Sequence, residues 1–93
     1  RPVIIVFHDG FNQTPNWRSI IVVPLSTSGN QARRGITAIY ISQGEGGLSQ
    51  DSIALCHQVT TLDRSKLKHK LGELTLEKML EIENGLKAAM DMD

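Results

Sequence analysis

An arginine at the first position is the residue best suited to hold a phosphate group. Arg1 is joined to Pro2 and is followed by an apolar run at residues 3–7. Its guanidinium is a permanent planar cation that matches phosphate oxygens in pairs. A proline biases the preceding residue towards an extended backbone, which helps to aim the side chain. The alternative is an ordinary surface arginine at the start of a strand, because charged side chains are mostly exposed.

A histidine inside an apolar segment is the second candidate for chemistry. His57 carries an imidazole, which titrates near neutral pH and could act as a general base. Equally, it could be a half-buried histidine bonded to the backbone. The sequence alone leaves both interpretations open.

Other combinations of reactive residues do not form a recognisable site. His8 and Asp9 are adjacent, as are Cys56 and His57, and neighbouring residues in a strand point to opposite faces. Three scattered histidines and one cysteine give no zinc spacing. The stretch GEGGL lacks the Lys-Ser/Thr of a nucleotide-binding loop and is typical of a hairpin turn. We therefore predict neither a metal nor a cofactor.

Composition indicates one small folded domain. The chain has 93 residues, of which 40% are hydrophobic, and its ten basic and ten acidic side chains cancel. Charge is unevenly distributed, with four cations against Asp63 in residues 61–70 and six acids against two lysines in residues 71–93. The single Cys56 cannot form an internal disulfide, and no apolar run is long enough to cross a membrane. These features predict a cytoplasmic protein.

The pattern of apolar runs predicts the elements that position these residues. Strands are expected within five segments, namely 3–7, 19–25, 36–41, 52–59 and 67–73. Thr75 is expected to cap a helix over 76–90, where apolar residues recur at three- and four-residue intervals. Gly85 weakens the helix prediction past position 82. We expect a mainly β domain, a curled antiparallel sheet or small barrel with one C-terminal helix.

Several stretches, in this order and spacing, resemble the MazF/PemK (Kid) toxins of bacterial toxin–antitoxin pairs. They are RPVII, DGFN, IIVVPLSTSGN with QAR, GEGGLSQDS, QVTTLDRSKL and LGELTLEKMLEIENGL, and they extend from residue 1 to about residue 86. The resemblance implies an SH3-like barrel of the CcdB–PemK type and a metal-independent endoribonuclease that cleaves single-stranded RNA through its 2′-OH. Family members have a further strand before RPV, so the expected sheet lacks that first strand.

The resemblance also assigns roles to individual residues. It places the catalytic arginine at Arg1 and the active-site hydroxyl at Ser26, with Thr27 beside it, although the stretch 26–30 also reads as a plain turn. His57 occupies a position where the family usually has a carboxylate, which makes it a candidate for proton transfer. Thr60 replaces a family arginine, so one phosphate contact is expected to be missing.

Residues on loops are the predicted RNA contacts. Arg33 and Arg34 are candidates for the RNA backbone, and Gln58 for a contact next to His57. Trp17 or Phe11 could stack on a base. Phe7 and Tyr40 are expected in the core instead.

The predicted partners follow from the same resemblance. They are single-stranded RNA, a cognate antitoxin with an acidic segment, and a second copy in a homodimer. The alternative is a non-catalytic, CcdB-like toxin that binds a protein target such as gyrase. A third possibility is an inactive dimer that still sequesters antitoxin.

Overall fold

Five short strands and one helix make up the described part of the chain. The computed structural model describes residues 2–6, 16–28 and 35–92. In chain order the elements are β1 (Val3–Ile5), β2 (Ser19–Ser26), β3 (Ala38–Ile41), β4 (Ser52–Leu55), β5 (Thr60–Asp63) and α1 (Leu76–Ala89). All strand pairings are antiparallel. The expected class, a mainly antiparallel sheet with a C-terminal helix, is confirmed.

The longest strand, β2, organises the sheet. β1 lies along one edge of β2, while β5 and β4 follow one another along the opposite edge, and β3 lies outside β4. A turn at Glu45–Gly47 connects β3 to β4, as the GEGGL stretch predicts. Among the described residues the sheet stays open and does not close into a barrel.

The helix covers one face of the sheet and forms one hydrophobic cluster with it, and residues of the opposite face are buried as well. Buried apolar residues of this face include Ile4, Val23, Leu25 and Ala54, and they pack against Ile82 of α1. Successive side chains of a strand alternate between faces. Residues one step along these strands therefore lie on the face away from the helix.

The predicted strand 52–59 is interrupted in its second half. Leu25 of β2 pairs with Ala54, and Val22 of β2 pairs with Thr60. An advance of three residues along β2 is therefore matched by six residues along the partner segment that runs from β4 to β5. The extra residues form a 3-10 turn, Cys56–Gln58. His57 therefore lies on a turn beside β2, and the strand expected within 52–59 covers only the first half of that segment.

The predicted strand at 67–73 is wrong, and the fifth strand is β5 instead. Residues 67–75 have no regular structure. Their backbone lies directly against the turn at Glu45–Gly47, so that a Cβ on Gly47 would collide with the carbonyl oxygen of Leu71. A Cβ on Gly72 would lie 2.7 Å from the carbonyl oxygen of Gly46. Close backbone packing replaces sheet pairing in this segment.

Helix α1 begins after its predicted cap and continues past Gly85. The hydroxyl of Thr75 accepts a hydrogen bond from the backbone N–H of Lys78 at 3.1 Å, which confirms the predicted cap. The helix extends through Gly85 to Ala89. Within the described part of the chain, no helix is both long and apolar enough for a bilayer span.

Candidate active site

The hydroxyl of Ser26 lies at the end of β2 and accepts a hydrogen bond from the following turn. Ser26 is half-buried and lies opposite Ile53 of β4. Its Oγ accepts a hydrogen bond from the backbone N–H of Ser28 at 3.1 Å. Because this bond uses an oxygen lone pair, the hydroxyl proton remains available to an outside acceptor. The geometry therefore suits donation to an anionic oxygen, and the exposed Thr27 follows directly.

The first residue of the chain lies outside the described residues, but its neighbour does not. The carbonyl of Pro2 accepts a hydrogen bond from the backbone N–H of Leu25 at 3.3 Å. The described β1–β2 pairing therefore reaches the residue before Ser26. Arg33 and Arg34 also lie outside the described residues.

His57 occupies the 3-10 turn that separates β4 from β5. Its Nδ1 is buried and has no hydrogen-bond partner among the described residues. Its Nε2 lies 3.4 Å from Nε2 of the exposed Gln58. The turn lies beside Val23 and Pro24 of β2, which puts the backbone of His57 roughly 10 Å from that of Ser26.

Cys56, next to His57, is buried against the helix. Its Sγ lies 3.7 Å from the carbonyl oxygen of Ile82. Burial raises the pKa of the Cys56 thiol. A buried thiol that resists ionisation is a poor nucleophile, so Cys56 serves packing rather than chemistry.

Tyr40 shares a row of the sheet with Ser26, and its predicted place in the core is wrong. Tyr40 of β3 pairs with Ile53, and Ile53 pairs with Ser26. Directly paired residues point to the same face of a sheet, so the three side chains share the face away from α1. Tyr40 is 52% exposed, whereas its neighbours Ile39 and Ile41 face the core.

Trp17 lies at the far end of β2 from Ser26. The eight residues of β2 separate the two ends by roughly 25 Å. The Trp17 side chain is 39% exposed, and its carbonyl accepts a hydrogen bond from Nε of Arg64 at 2.9 Å. Within one chain, Trp17 and Ser26 cannot contact the same nucleotide.

An ion pair fixes the backbone at the Trp17 end. Arg18 pairs with Asp63 at 2.9 Å, and Asp63 also accepts a hydrogen bond from the backbone N–H of Ser65 at 2.8 Å. The hydrogen bonds from Ser65, and then the one from Arg18, lower the pKa of Asp63 from 3.8 to about 2. Four further basic residues follow, at positions 64, 66, 68 and 70.

Comparison with known proteins identifies the family. A family model described as "PemK-like, MazF-like toxin of type II toxin-antitoxin system" matches residues 1–90. The chain belongs to this family. It is 31% identical over 93 residues to the Endoribonuclease MazF of Staphylococcus epidermidis, covering all of this chain and 75% of that protein.

Solved structures of PemK/MazF toxins have the same fold. The Mycobacterium tuberculosis toxin MazF-mt6 superposes with a TM-score of 0.85 at 24% identity, covering 100% of this chain and 88% of that one. An endoribonuclease in complex with its cognate antitoxin, from a mycobacterial species, superposes with a TM-score of 0.81 at 22% identity. That match covers 100% of this chain and 82% of the other. The family match favours the PemK/MazF reading over the CcdB-like alternative.

The PemK/MazF fold brings some of the predicted site residues together and separates others. Ser26 and Thr27 lie at one end of β2, with His57 and Gln58 on the neighbouring turn. Trp17 is at the opposite end of the strand. In the described ranges, no three His, Cys, Asp or Glu side chains form a cluster that could hold a metal ion.

Two apolar grooves flank Leu86 on the helix. The first has a volume of about 250 Å³ and is lined by Val6, Met79, Leu80 and their neighbours. The second, of about 370 Å³, lies between α1 and β5 and includes Ile21, Val59 and Met90. Both grooves are open, and Leu80 and Met90 beside them are 50% and 51% exposed.

Proposed function

We propose that this protein is the toxin of a toxin–antitoxin pair and an endoribonuclease that cuts single-stranded RNA without a metal ion. The observation that carries the proposal is the Ser26 hydroxyl at the end of β2, whose oxygen accepts from Ser28 in a bond that does not use its proton, in a chain that belongs to the PemK/MazF toxin family. Relatives bear the name endoribonuclease. The site would act on a phosphodiester bound against β2.

Arg1 is proposed as the residue that stabilises the charge on the phosphate. It precedes Pro2 in the sequence. Pro2 hydrogen-bonds to Leu25, the residue before Ser26. The proposal is that this guanidinium binds a phosphate that also accepts from the Ser26 hydroxyl. Planar, paired donors of this kind suit the developing charge of the transition state.

The proposed reaction is an internal transfer at phosphorus. The 2′-oxygen of one nucleotide attacks the adjacent phosphorus, and the bond to the 5′-oxygen of the next nucleotide breaks. The 2′-OH loses a proton and the leaving 5′-oxygen gains one, so the products are a 2′,3′-cyclic phosphate and a 5′-OH. His57 is the proposed proton-transfer residue, because imidazole can gain or lose a proton near neutral pH.

Further contacts with RNA are proposed at two distances from the cut. Thr27 and Gln58 lie beside Ser26 and His57 and would contact the nucleotides at the cut. Trp17 lies at the other end of β2 and would contact nucleotides further along the strand. Arg33 and Arg34 are proposed contacts with the RNA backbone.

Two protein partners are proposed from surface features. An acidic antitoxin segment would be attracted by the exposed lysines at 66, 68 and 70. A second copy of the chain would cover the apolar grooves beside Leu86, because Leu80 and Met90 project next to open apolar volumes that such side chains can fill. The single free thiol of Cys56 suits the reducing cytoplasm, which is the proposed compartment.

The test uses a long RNA transcript in the presence of EDTA. The wild-type protein is expected to produce fragments with cyclic phosphate ends. Arg1→Ala and Ser26→Ala are each expected to lower the cleavage rate by about 10²-fold or more, with unchanged circular dichroism. Unchanged cutting by Arg1→Ala would remove that residue from the mechanism.

The same assay discriminates the protein-binding alternative. Intact RNA together with blocked DNA supercoiling by gyrase would support a CcdB-like inhibitor and overturn the nuclease proposal. Cleavage that stops when EDTA is added would instead indicate a metal-dependent reaction.

A further inference from the structure

The exposed ring of Tyr40 lies beside the proposed cutting site. Ser26, Ile53 and Tyr40 occupy one row across β2, β4 and β3. Each direct antiparallel pair separates its Cα atoms by about 4.5–5.5 Å, so the backbones of Ser26 and Tyr40 are roughly 10 Å apart. The two side chains project from the same face. A nucleotide whose phosphate contacts Ser26 can therefore extend its base towards the Tyr40 ring.

The residues of this row differ in exposure. Between the two residues, Ile53 is only 8% exposed, whereas Tyr40 is 52% exposed. The row thus offers a hydroxyl at one end, a buried aliphatic residue in the middle and an accessible aromatic ring at the other end.

The backbone under Tyr40 is held in place from the helix. Nζ of Lys78 donates a hydrogen bond to the Tyr40 carbonyl at 3.0 Å and pairs with Glu81 at 3.1 Å. The Lys78 side chain is 15% exposed. A nearly buried cation that joins α1 to β3 restricts movement of that strand. The ring is therefore presented on a fixed support, which lowers the entropy lost when a base stacks on it.

We propose that Tyr40 is a base-stacking and specificity residue, which holds the nucleotide next to the scissile phosphate. The inference rests on the proposed ribonuclease function and assigns to it a residue whose apolar surroundings in the sequence predict a place in the core. Single-stranded RNA is recognised by unstacked bases that pack on aromatic side chains. The aromatic face is what the site requires, and the phenol hydroxyl is not.

The experiment separates binding from cutting. A short RNA of about 4 nucleotides, centred on the sequence that the wild-type protein cuts, is compared with the same oligonucleotide made uncleavable by a 2′-O-methyl group at the cut. Tyr40→Thr removes the ring but keeps a residue that favours strands. Tyr40→Phe keeps the ring and removes the hydroxyl. Leu71→Thr, at an exposed residue with 48% of its surface accessible, is the matched control.

We expect only Tyr40→Thr to bind RNA more weakly than the wild type. Tyr40→Thr should raise KM, and the Kd for the uncleavable RNA, by about 5- to 150-fold, with a much smaller change in kcat. Tyr40→Phe and Leu71→Thr should behave like the wild type, and all three variants should keep the wild-type circular dichroism and melting temperature within a few degrees.

Three outcomes would overturn the proposal. Equal Kd values for Tyr40→Thr and wild type, with RNA still cut, would exclude stacking and leave the ribonuclease proposal intact. A fall in kcat for Tyr40→Phe would show that the hydroxyl acts in proton transfer instead. A wild-type protein that neither binds nor cuts the RNA would remove the ribonuclease proposal and this one together. If Tyr40→Thr fails to fold, Tyr40→Leu gives the same comparison.

Discussion

The imidazole of His57 has a buried ring nitrogen that no residue of the described ranges bonds to. If Nε2 accepts a hydrogen bond from Gln58, the ring proton lies on Nδ1, which is buried and has no partner among the described residues. A buried polar group without a partner costs about 1–3 kcal/mol. Natural proteins retain such costs mainly where function needs them. The environment of His57 therefore agrees with a functional role better than with a purely structural one.

Replacing His57 is predicted to separate stability from activity. His57→Phe removes the buried nitrogen while keeping a planar ring, so the free energy of unfolding should stay the same or rise by about 1 kcal/mol. If His57 transfers the proton, the cleavage rate should fall by about 10²- to 10⁴-fold. Urea unfolding and cleavage of a defined RNA measure the two quantities. A variant that cuts as fast as the wild type would contradict the proton-transfer role.

At the scale of elements, the packing of α1 depends on the absence of a side chain at Gly85. A Cβ on Gly85 would lie 2.7 Å from Sγ of Cys56 and 3.2 Å from Cγ1 of Ile39. The helix therefore approaches both the 3-10 turn and β3 more closely than any other residue would permit. Low helix propensity at this position is the cost of that contact, since glycine is about 1 kcal/mol worse than alanine in a helix.

Adding one methyl group at Gly85 is predicted to destabilise the protein. Gly85→Ala should lower the free energy of unfolding by about 1–3 kcal/mol, because overpacking outweighs the gain in helix propensity. Asn84→Ala, at the exposed neighbouring position, should change it by less than about 0.5 kcal/mol. Chemical denaturation of both variants provides the measurement. A more stable Gly85→Ala would show that the helix can move away without loss.

The elements differ in how far the sequence predicts them. The apolar runs of β1 and β2 and the Thr75 cap are local signals, and each predicts its element. The break at Cys56–Gln58 is a matter of register with β2, which no local pattern encodes. Residues 67–75 contain apolar positions that resemble a strand, but their place depends on contact with Gly46 and Gly47, far away in the chain. Non-local packing is what single-sequence reasoning misses.

The candidate site likewise contains one residue that the sequence predicts and one that it does not. Ser26 was predicted as a functional hydroxyl through family resemblance, and the structure adds its hydrogen bond to Ser28. Tyr40 was missed, although the alternation in AIYI puts it on the face opposite Ile39 and Ile41. This alternation of side chains between the two faces was the signal in the sequence that could have placed Tyr40 outside the core. Its position beside Ser26 could not be predicted, because it depends on β4 lying between the two strands.

At the scale of the whole molecule, the ion pair between Arg18 and Asp63 joins two distant chain segments at the end of the sheet remote from Ser26. Arg18 precedes β2 and Asp63 ends β5, so their contact joins two segments 45 residues apart. Asp63 also caps the turn at Arg64–Lys66 through Ser65. These interactions favour the ionised carboxylate, which is why the pKa of Asp63 is lowered to about 2.

The lowered pKa predicts a pH window for this contribution to stability. A carboxyl whose pKa is depressed in the folded state stabilises the protein above its unfolded pKa, and the effect disappears as the pH falls through the folded pKa. Melting temperatures of wild type and Asp63→Asn should therefore differ above about pH 4 and converge towards about pH 2. A difference in melting temperature that stays constant across this pH range would contradict the stabilising role of the ionised Asp63 carboxylate. Asp51→Asn, another exposed acid, serves as the control.

Lys78 has a consequence for encounters between copies of the protein. β3 is the outermost strand on its side of the described sheet, and Ile36 just before it is 78% exposed. An accessible strand edge next to apolar side chains invites the backbone of another molecule to pair with it, as in fibril growth. The Lys78 ammonium already occupies the outward carbonyl of Tyr40, so an incoming chain would have to displace a cation to bond there. Lys78 is therefore expected to hinder edge-to-edge pairing between copies.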